Sequence, residues 1–264
     1  MSLFVKDKKI LWIPLLVTNI AALWEGIIDY KAAICLFSLF LVSIGYFRAN
    51  FPRFIKFILF IIIIAFALGA GFHMIPGFYN LLVINKLQLS QESYPFSIYL
   101  NFDKVMAALI IFSSSNIPNI LPNLKSIKLT LFSLLICMIF ISLIAIMSGY
   151  VKFEPKFPEI LCIWALNNLL FVCFSEEVLF RGFFQNQLNA LIKSPIISIC
   201  ITALIFGVAH FHGGLLYIGL SIICGFFYSY TYYRTGSLIC SMLVHFGVNF
   251  SHFLLFTYPA LMPN

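Results

Sequence analysis

What most constrains this chain is how seldom its apolar stretches are interrupted. Apolar runs fall at about 9–28, 31–47, 54–75, 104–121, 126–149, 158–190, 195–211, 214–233 and 237–258. Pro, Gly or charge separates them, as at Arg48–Arg53, Lys152–Pro158, Gly213–Gly214 and Arg234–Gly236. Asp, Glu, Lys and Arg make up 9% of the 264 residues, and 62% are hydrophobic. A soluble domain carries about 25% charged residues, so the solvent of this chain is mostly lipid. A helical crossing needs roughly 20 apolar residues, and in lipid every backbone polar group must be satisfied internally. The expected fold is therefore all-α: a polytopic transmembrane helical bundle of about eight or nine spans.

Two runs depart from the simple pattern. The fourth contains "SSSNIPN" and is expected to be short, broken or re-entrant. The sixth, 158–190, is too long for one simple span and is expected to continue past the bilayer as an amphipathic segment. The formal net charge is +7, but the basic residues sit at the ends of apolar runs rather than in a patch, which argues against nucleic acid. Nine spans with a cytoplasmic N-terminus put Arg48/Arg53, Lys125/Lys128, Lys193 and Arg234 on one side, as the positive-inside rule requires. The largest loop, about 76–103, and the C-terminus then lie outside, and the first run is expected to be retained rather than cleaved. The economical organisation is one membrane unit: N-terminal helices and external loop over 1–150, and a catalytic core over 151–264. All seven cysteines fall inside apolar runs with no CxxC pair and read as small buried hydrophobes.

Against this background "EEVLFR", 176–181, needs a reason. An ionised Glu within a bilayer costs several kcal/mol unless paired or hydrated. Glu177 and Arg181 are i and i+4 on one helix and can pair. Glu176 is rotated about 100° away and has no sequence-local cation. Counted from Pro158 at about 1.5 Å per residue, it falls roughly 27 Å along its helix, in the inner half of the membrane. "FGVAHFHGG" supplies His210 and His212; "HFGVN" places His245 and Asn249 on one face. A buried carboxylate beside an imidazole can take a proton from water, whose oxygen then attacks a carbonyl. A second imidazole and a carboxamide can donate to the developing oxyanion. The set suffices for peptide hydrolysis without a covalent nucleophile. Zinc held by Glu176, His210 and His245 is the alternative way to activate the water. The absence of HExxH and the rarity of Asn as a ligand favour the version with no cofactor. Neither a GxSG nor a GxGD segment is present.

EExxxR, FxxxH and HxxxN, in that order and in three hydrophobic segments, resemble the CPBP family of intramembrane proteases. That family holds the CAAX prenyl proteases (type II CAAX endopeptidases) and the Abi-like immunity proteins. The resemblance spans about 158–258. It implies Glu176 as the water-activating base assisted by His210, and His245 and Asn249 as the oxyanion site. Glu177 and Arg181 would support them, Glu177 also being a candidate for the chemistry. It implies a membrane-anchored or lipidated protein or peptide substrate, with membrane lipid the other partner, and an integral protein of a bacterial inner membrane.

Two rivals stand beside this expectation: an immunity or binding protein that sequesters a partner, and a proton-coupled transporter. Among the remaining polar residues, His73 and His252 read as structural, and Glu25 and Asp29 as a turn. His212 lies outside the motifs. Asp103–Lys104 reads as a local pair at a helix start, and Asn167–Asn168 as an interhelical hydrogen-bonding pair.

Overall fold

The computed structural model describes residues 7–118 and 120–262. Among them nine helices form a bundle, with one small sheet. They are α1 (Trp12–Trp24), α2 (Tyr30–Arg48), α3 (Arg53–Gly71), α4 (Phe102–Ser114) and α5 (Leu124–Met147), then α6 (Leu161–Ile192), α7 (Pro195–Val208), α8 (Gly214–Thr235) and α9 (Leu238–Leu255). Six of them, α2, α3, α5, α6, α8 and α9, are long and apolar enough to cross a membrane. The chain is an all-α polytopic membrane protein.

Short contacts show that successive helices run in alternate directions. At one end, the Lys8 ammonium donates to the Ile117 carbonyl just past α4 (2.5 Å), Arg48 stacks on Trp12, and Tyr46 donates to Gln187 near the end of α6. Ser237, which precedes α9, donates to the Ile120 carbonyl. At the other end Ile28 bridges Phe78, Phe153 bridges Phe256, and Phe72 packs on Phe211. Arg48, Arg53, Lys125, Lys128, Lys193 and Arg234 all fall at helix ends of the first kind, so the nine-run reading collects its anchors at one end. Burial, with Arg48 nearby, lowers the Lys8 ammonium to about 8.

Helix α4 is the short fourth run. Its 13 residues rise about 20 Å, and nearly every residue from Met106 to Ser114 is buried. A helix enclosed by α2, α3 and α6 has no lipid face to cover and does not need full length. Conversely Phe37 on α2, Phe54 and Phe57 on α3, and Phe132 and Leu135 on α5 are exposed, which is the surface that lipid would cover.

The expected external loop contains an antiparallel hairpin, β1 (Leu81–Leu87) and β2 (Phe96–Leu100). The tip of this hairpin is tied to the end of the chain: Tyr94 N–H donates to the Ala260 carbonyl and Met262 N–H to the Glu92 carbonyl. Period-two alternation within an otherwise apolar chain is a weak signal, and the hairpin was not legible beforehand.

The sixth run is one helix, but not a uniform one. It opens into wide π-type turns over Asn168–Cys173 and Val178–Gln185, which flank a single α-turn, Phe174–Glu177. Such widened turns recur at functional sites because they re-aim side chains; here the turn between them carries both glutamates.

Candidate active site

Glu176 and Glu177 are both buried, and the 100° between them sends them to different partners. Glu177 is held on every side. Arg181, one turn on, donates to its Oε1 at 2.9 Å, the Ser241 hydroxyl donates to Oε2, and His245 Nδ1–H donates to Oε1 at 2.8 Å. Arg181 is itself fully buried. Its other nitrogens donate to Ser229 Oγ (3.3 Å) and to the Gly225 carbonyl (3.1 Å), and its guanidinium lies 4.4 Å from the Phe206 ring centre. The expected i, i+4 pair is therefore present, and it is anchored to α7, α8 and α9.

These bonds place a proton on Nδ1 of each imidazole. A carboxylate only accepts, so His245 Nδ1–H is the donor to Glu177 and Nε2 is turned away from it. Its ring is stacked on Tyr228, centroids 4.5 Å apart. His210, just past the end of α7, donates Nδ1–H to the Phe206 carbonyl at 2.7 Å. Its Nε2 is likewise free. Both free nitrogens point at one atom: Glu176 Oε2 lies 3.9 Å from His210 Nε2 and 3.8 Å from His245 Nε2. These gaps exceed a hydrogen bond, and Oε2 is buried without a hydrogen-bond partner. The spacing suits one bridging water.

Asn249 stands one turn beyond His245 on α9. Its Nδ2 donates to Asn168 Oδ1 on α6 at 3.2 Å, and the Cys173 thiol donates to the same oxygen at 3.3 Å. Asn168 thus has the expected interhelical bond. Glu176, His210, His245 and Asn249 all line a cavity of about 890 Å³. Its walls continue through Tyr150, Tyr217 and Tyr258 to Tyr94, Ala260 and Leu261, so the cavity opens at the hairpin end. Near this mouth burial and the neighbouring Tyr258 push the Tyr150 phenol up to about 12, and burial lowers the Lys156 ammonium.

One expectation needs correction. Lys104 and Asp103 are not each other's ion-pair partners. The Lys104 ammonium reaches Glu176 Oε1 at 2.5 Å, and Asp103 accepts from His73 Nδ1–H at 2.7 Å. Neighbouring residues at a helix start point in different directions, and each found a partner far along the chain. Glu176 sits near the middle of its own helix, Leu161–Ile192, beside Lys104 in the first turn of α4 and His210 just past the end of α7. His212 packs on Phe211 and Phe72 at the rim and has no bond to Glu176. Ser241, four residues before His245, was missed although the spacing puts it on the same face. Lys104 was missed because nothing local connects it to a residue 72 positions on.

Glu176, His210 and His245 have the chemistry of a zinc donor set, but the fit is poor. Among the described residues no group of three or more His, Cys, Asp and Glu is arranged to hold a metal ion, and the Lys104 ammonium already sits on the Glu176 carboxylate.

The fold and site define a polytopic helical membrane protein with carboxylates and imidazoles gathered around an internal cavity. Residues 158–251 match the family model described as type II CAAX prenyl endopeptidase Rce1-like. The match covers somewhat over a third of the chain, from just before α6 into α9, and includes Glu176, Glu177, Arg181, His210, His245 and Asn249. No curated protein and no solved structure matches the chain.

Proposed function

We propose that the protein is an intramembrane endopeptidase that hydrolyses a peptide bond of a membrane-anchored or lipidated protein by a water activated on Glu176. The observation that carries this reading is the convergence of two imidazole Nε2 atoms on Glu176 Oε2 at 3.8–3.9 Å. A water there donates one proton toward Glu176 Oε2 and the other toward His210 Nε2, which leaves its lone pair free for a carbonyl carbon. Glu176 takes the proton as the C–O bond forms. The tetrahedral oxyanion is met by Asn249 Nδ2 and by His245 acting as an imidazolium, which donates from Nε2, is balanced by Glu177 and keeps its proton throughout. Collapse breaks the C–N bond, and the proton on Glu176 passes to the leaving amine. General-base catalysis of this kind contributes about 10²–10⁴-fold.

The test is cleavage of membrane-anchored peptides by reconstituted protein and its Glu176→Gln, His210→Ala and His245→Ala variants. Each variant is expected to lose at least ~10²-fold in kcat. Full turnover in all three overturns the mechanism. The cofactor-free form rests on the Lys104 ammonium at Glu176, a poor neighbour for a metal cation. Activity is expected to survive exhaustive chelation; loss that zinc restores would install the metal version. Protection of cells by an inert Glu176 variant would favour the immunity-protein reading instead. The basic helix ends support a cytoplasmic N-terminus; the membrane we assign it to is a bacterial inner membrane.

A further inference from the structure

We infer that Lys104, which lies outside the Rce1-like segment, is a positioning residue for Glu176. This rests on the reading of Glu176 as the base. Glu176 needs a cation, and those of its own helix and motifs are committed elsewhere. Arg181 is spent on Glu177, Ser229 and Gly225, and both imidazoles stand beyond hydrogen-bond distance. Lys104 is its direct partner, at 2.5 Å, and takes Oε1 specifically. With Oε1 occupied, the carboxylate cannot swing, and Oε2 stays turned toward the two Nε2 atoms.

The first turn that carries Lys104 is itself held by bonds from outside the three motifs. It occupies the first turn of α4, whose N-cap residue Asn101 makes no side-chain cap. Asn80 Oδ1 substitutes by accepting Phe102 N–H at 2.8 Å, and Asp103 Oδ1 accepts Lys104 N–H at 2.7 Å. Asp103 is nearly inaccessible and is fixed by His73 from the end of α3. The Lys104–Glu176 pair stands in the wall between the large cavity and a second one of about 280 Å³, lined by Ala67, Gly71, Ala107 and Ala108. The hydrolytic centre is thus completed by the N-terminal half of the chain.

Lys104→Met, Lys104→Gln and Lys104→Arg test this. Lys104→Met is expected to lower kcat by about 10²-fold, the cost of a misplaced catalytic group, with KM within about twofold. Lys104→Arg should recover most of the rate. A second readout needs no activity: thermal unfolding in detergent as a double-mutant cycle with Glu176→Gln. Alone, Lys104→Met should lower Tm by about 5 °C or more, because it leaves a buried charge unpaired. In the Glu176→Gln background it should lower Tm by about 1 °C. Additive unfolding shifts overturn the pairing. A coupled cycle with undiminished kcat in Lys104→Met overturns the positioning role. A coupled cycle in a protein whose Glu176→Gln variant still cleaves at full rate leaves the pairing and overturns the hydrolytic reading. If Lys104→Met does not accumulate, the same comparisons are made with Lys104→Gln, which keeps a hydrogen-bond donor but not the charge.

Discussion

The two adjacent glutamates have opposite degrees of commitment, and that difference predicts different failures. Glu177 accepts from Arg181, Ser241 and His245, all buried. Replacing it with Gln leaves the Arg181 charge uncompensated among Phe206 and Tyr228, and breaking a buried pair from one side costs about 3–5 kcal/mol. It also removes the counter-charge for His245. Ser241→Ala removes one donor to the same carboxylate and is expected to cost only about 1–3 kcal/mol. Unfolding curves in one detergent should therefore rank Glu177→Gln well below Ser241→Ala, and both below the parent. Equal, small shifts would mean that the buried network does not hold the helices as described. Part of this network was legible because helical periodicity exposes i, i+4 relations directly: Glu177 with Arg181, and His245 with Asn249. The Lys104–Glu176 pair and the Asn80 cap were not, because they exist only once the chain has folded back on itself.

At the scale of elements, the site depends on how closely α7 and α8 approach. His210 follows α7 directly, so any displacement of that helix moves Nε2 away from Glu176. Gly207 makes the approach feasible: a Cβ there would lie 2.8 Å from the Ile218 carbonyl oxygen and 2.9 Å from the Ile222 nitrogen, both on α8. These are backbone atoms that no rotamer change can clear. Small residues at helix contacts in membranes serve this purpose. Gly207→Ala is expected to destabilise by about 1–3 kcal/mol, as overpacking does, and to lower kcat more than its stability loss alone explains. Gly219→Ala is the control: it lies on the same helix pair, where a Cβ meets nothing within 4 Å. Matching behaviour of the two variants would contradict the close-packing account. From sequence the seventh and eighth runs were clear as helices, since each is a long apolar run closed by Gly or a basic residue. Their separation was not, because "FGVAH" reads the same at any interaxial distance. The π-type turns of α6 were hidden for a similar reason: the residues of Asn168–Cys173 and Val178–Gln185 are compatible with ordinary α-helix, and packing decides.

For the whole molecule, alternate helices place one set of basic residues at one end and the cavity mouth at the other. Arg48, Arg53, Lys125, Lys128, Lys193 and Arg234 mark the first end; Tyr94, Tyr150, Ala260 and Leu261 mark the second. The positive-inside rule predicts that the basic end lies in the cytoplasm; the cavity would then be accessible from the external side. Substrate would be met as a segment emerging outside the membrane rather than one still in the cytoplasm. Single cysteines in a background lacking the native seven check this. Gln88→Cys, beside the hairpin tip, should react with a membrane-impermeant thiol reagent in intact cells. Ala49→Cys, between α2 and α3, should react only after the membrane is opened. The reverse pattern would turn the bundle over, move the cavity mouth to the cytoplasm and require the substrate to be presented from that side. The hydrolytic geometry around Glu176 would be unchanged, because it is internal to the bundle; only the population of substrates able to reach it would differ.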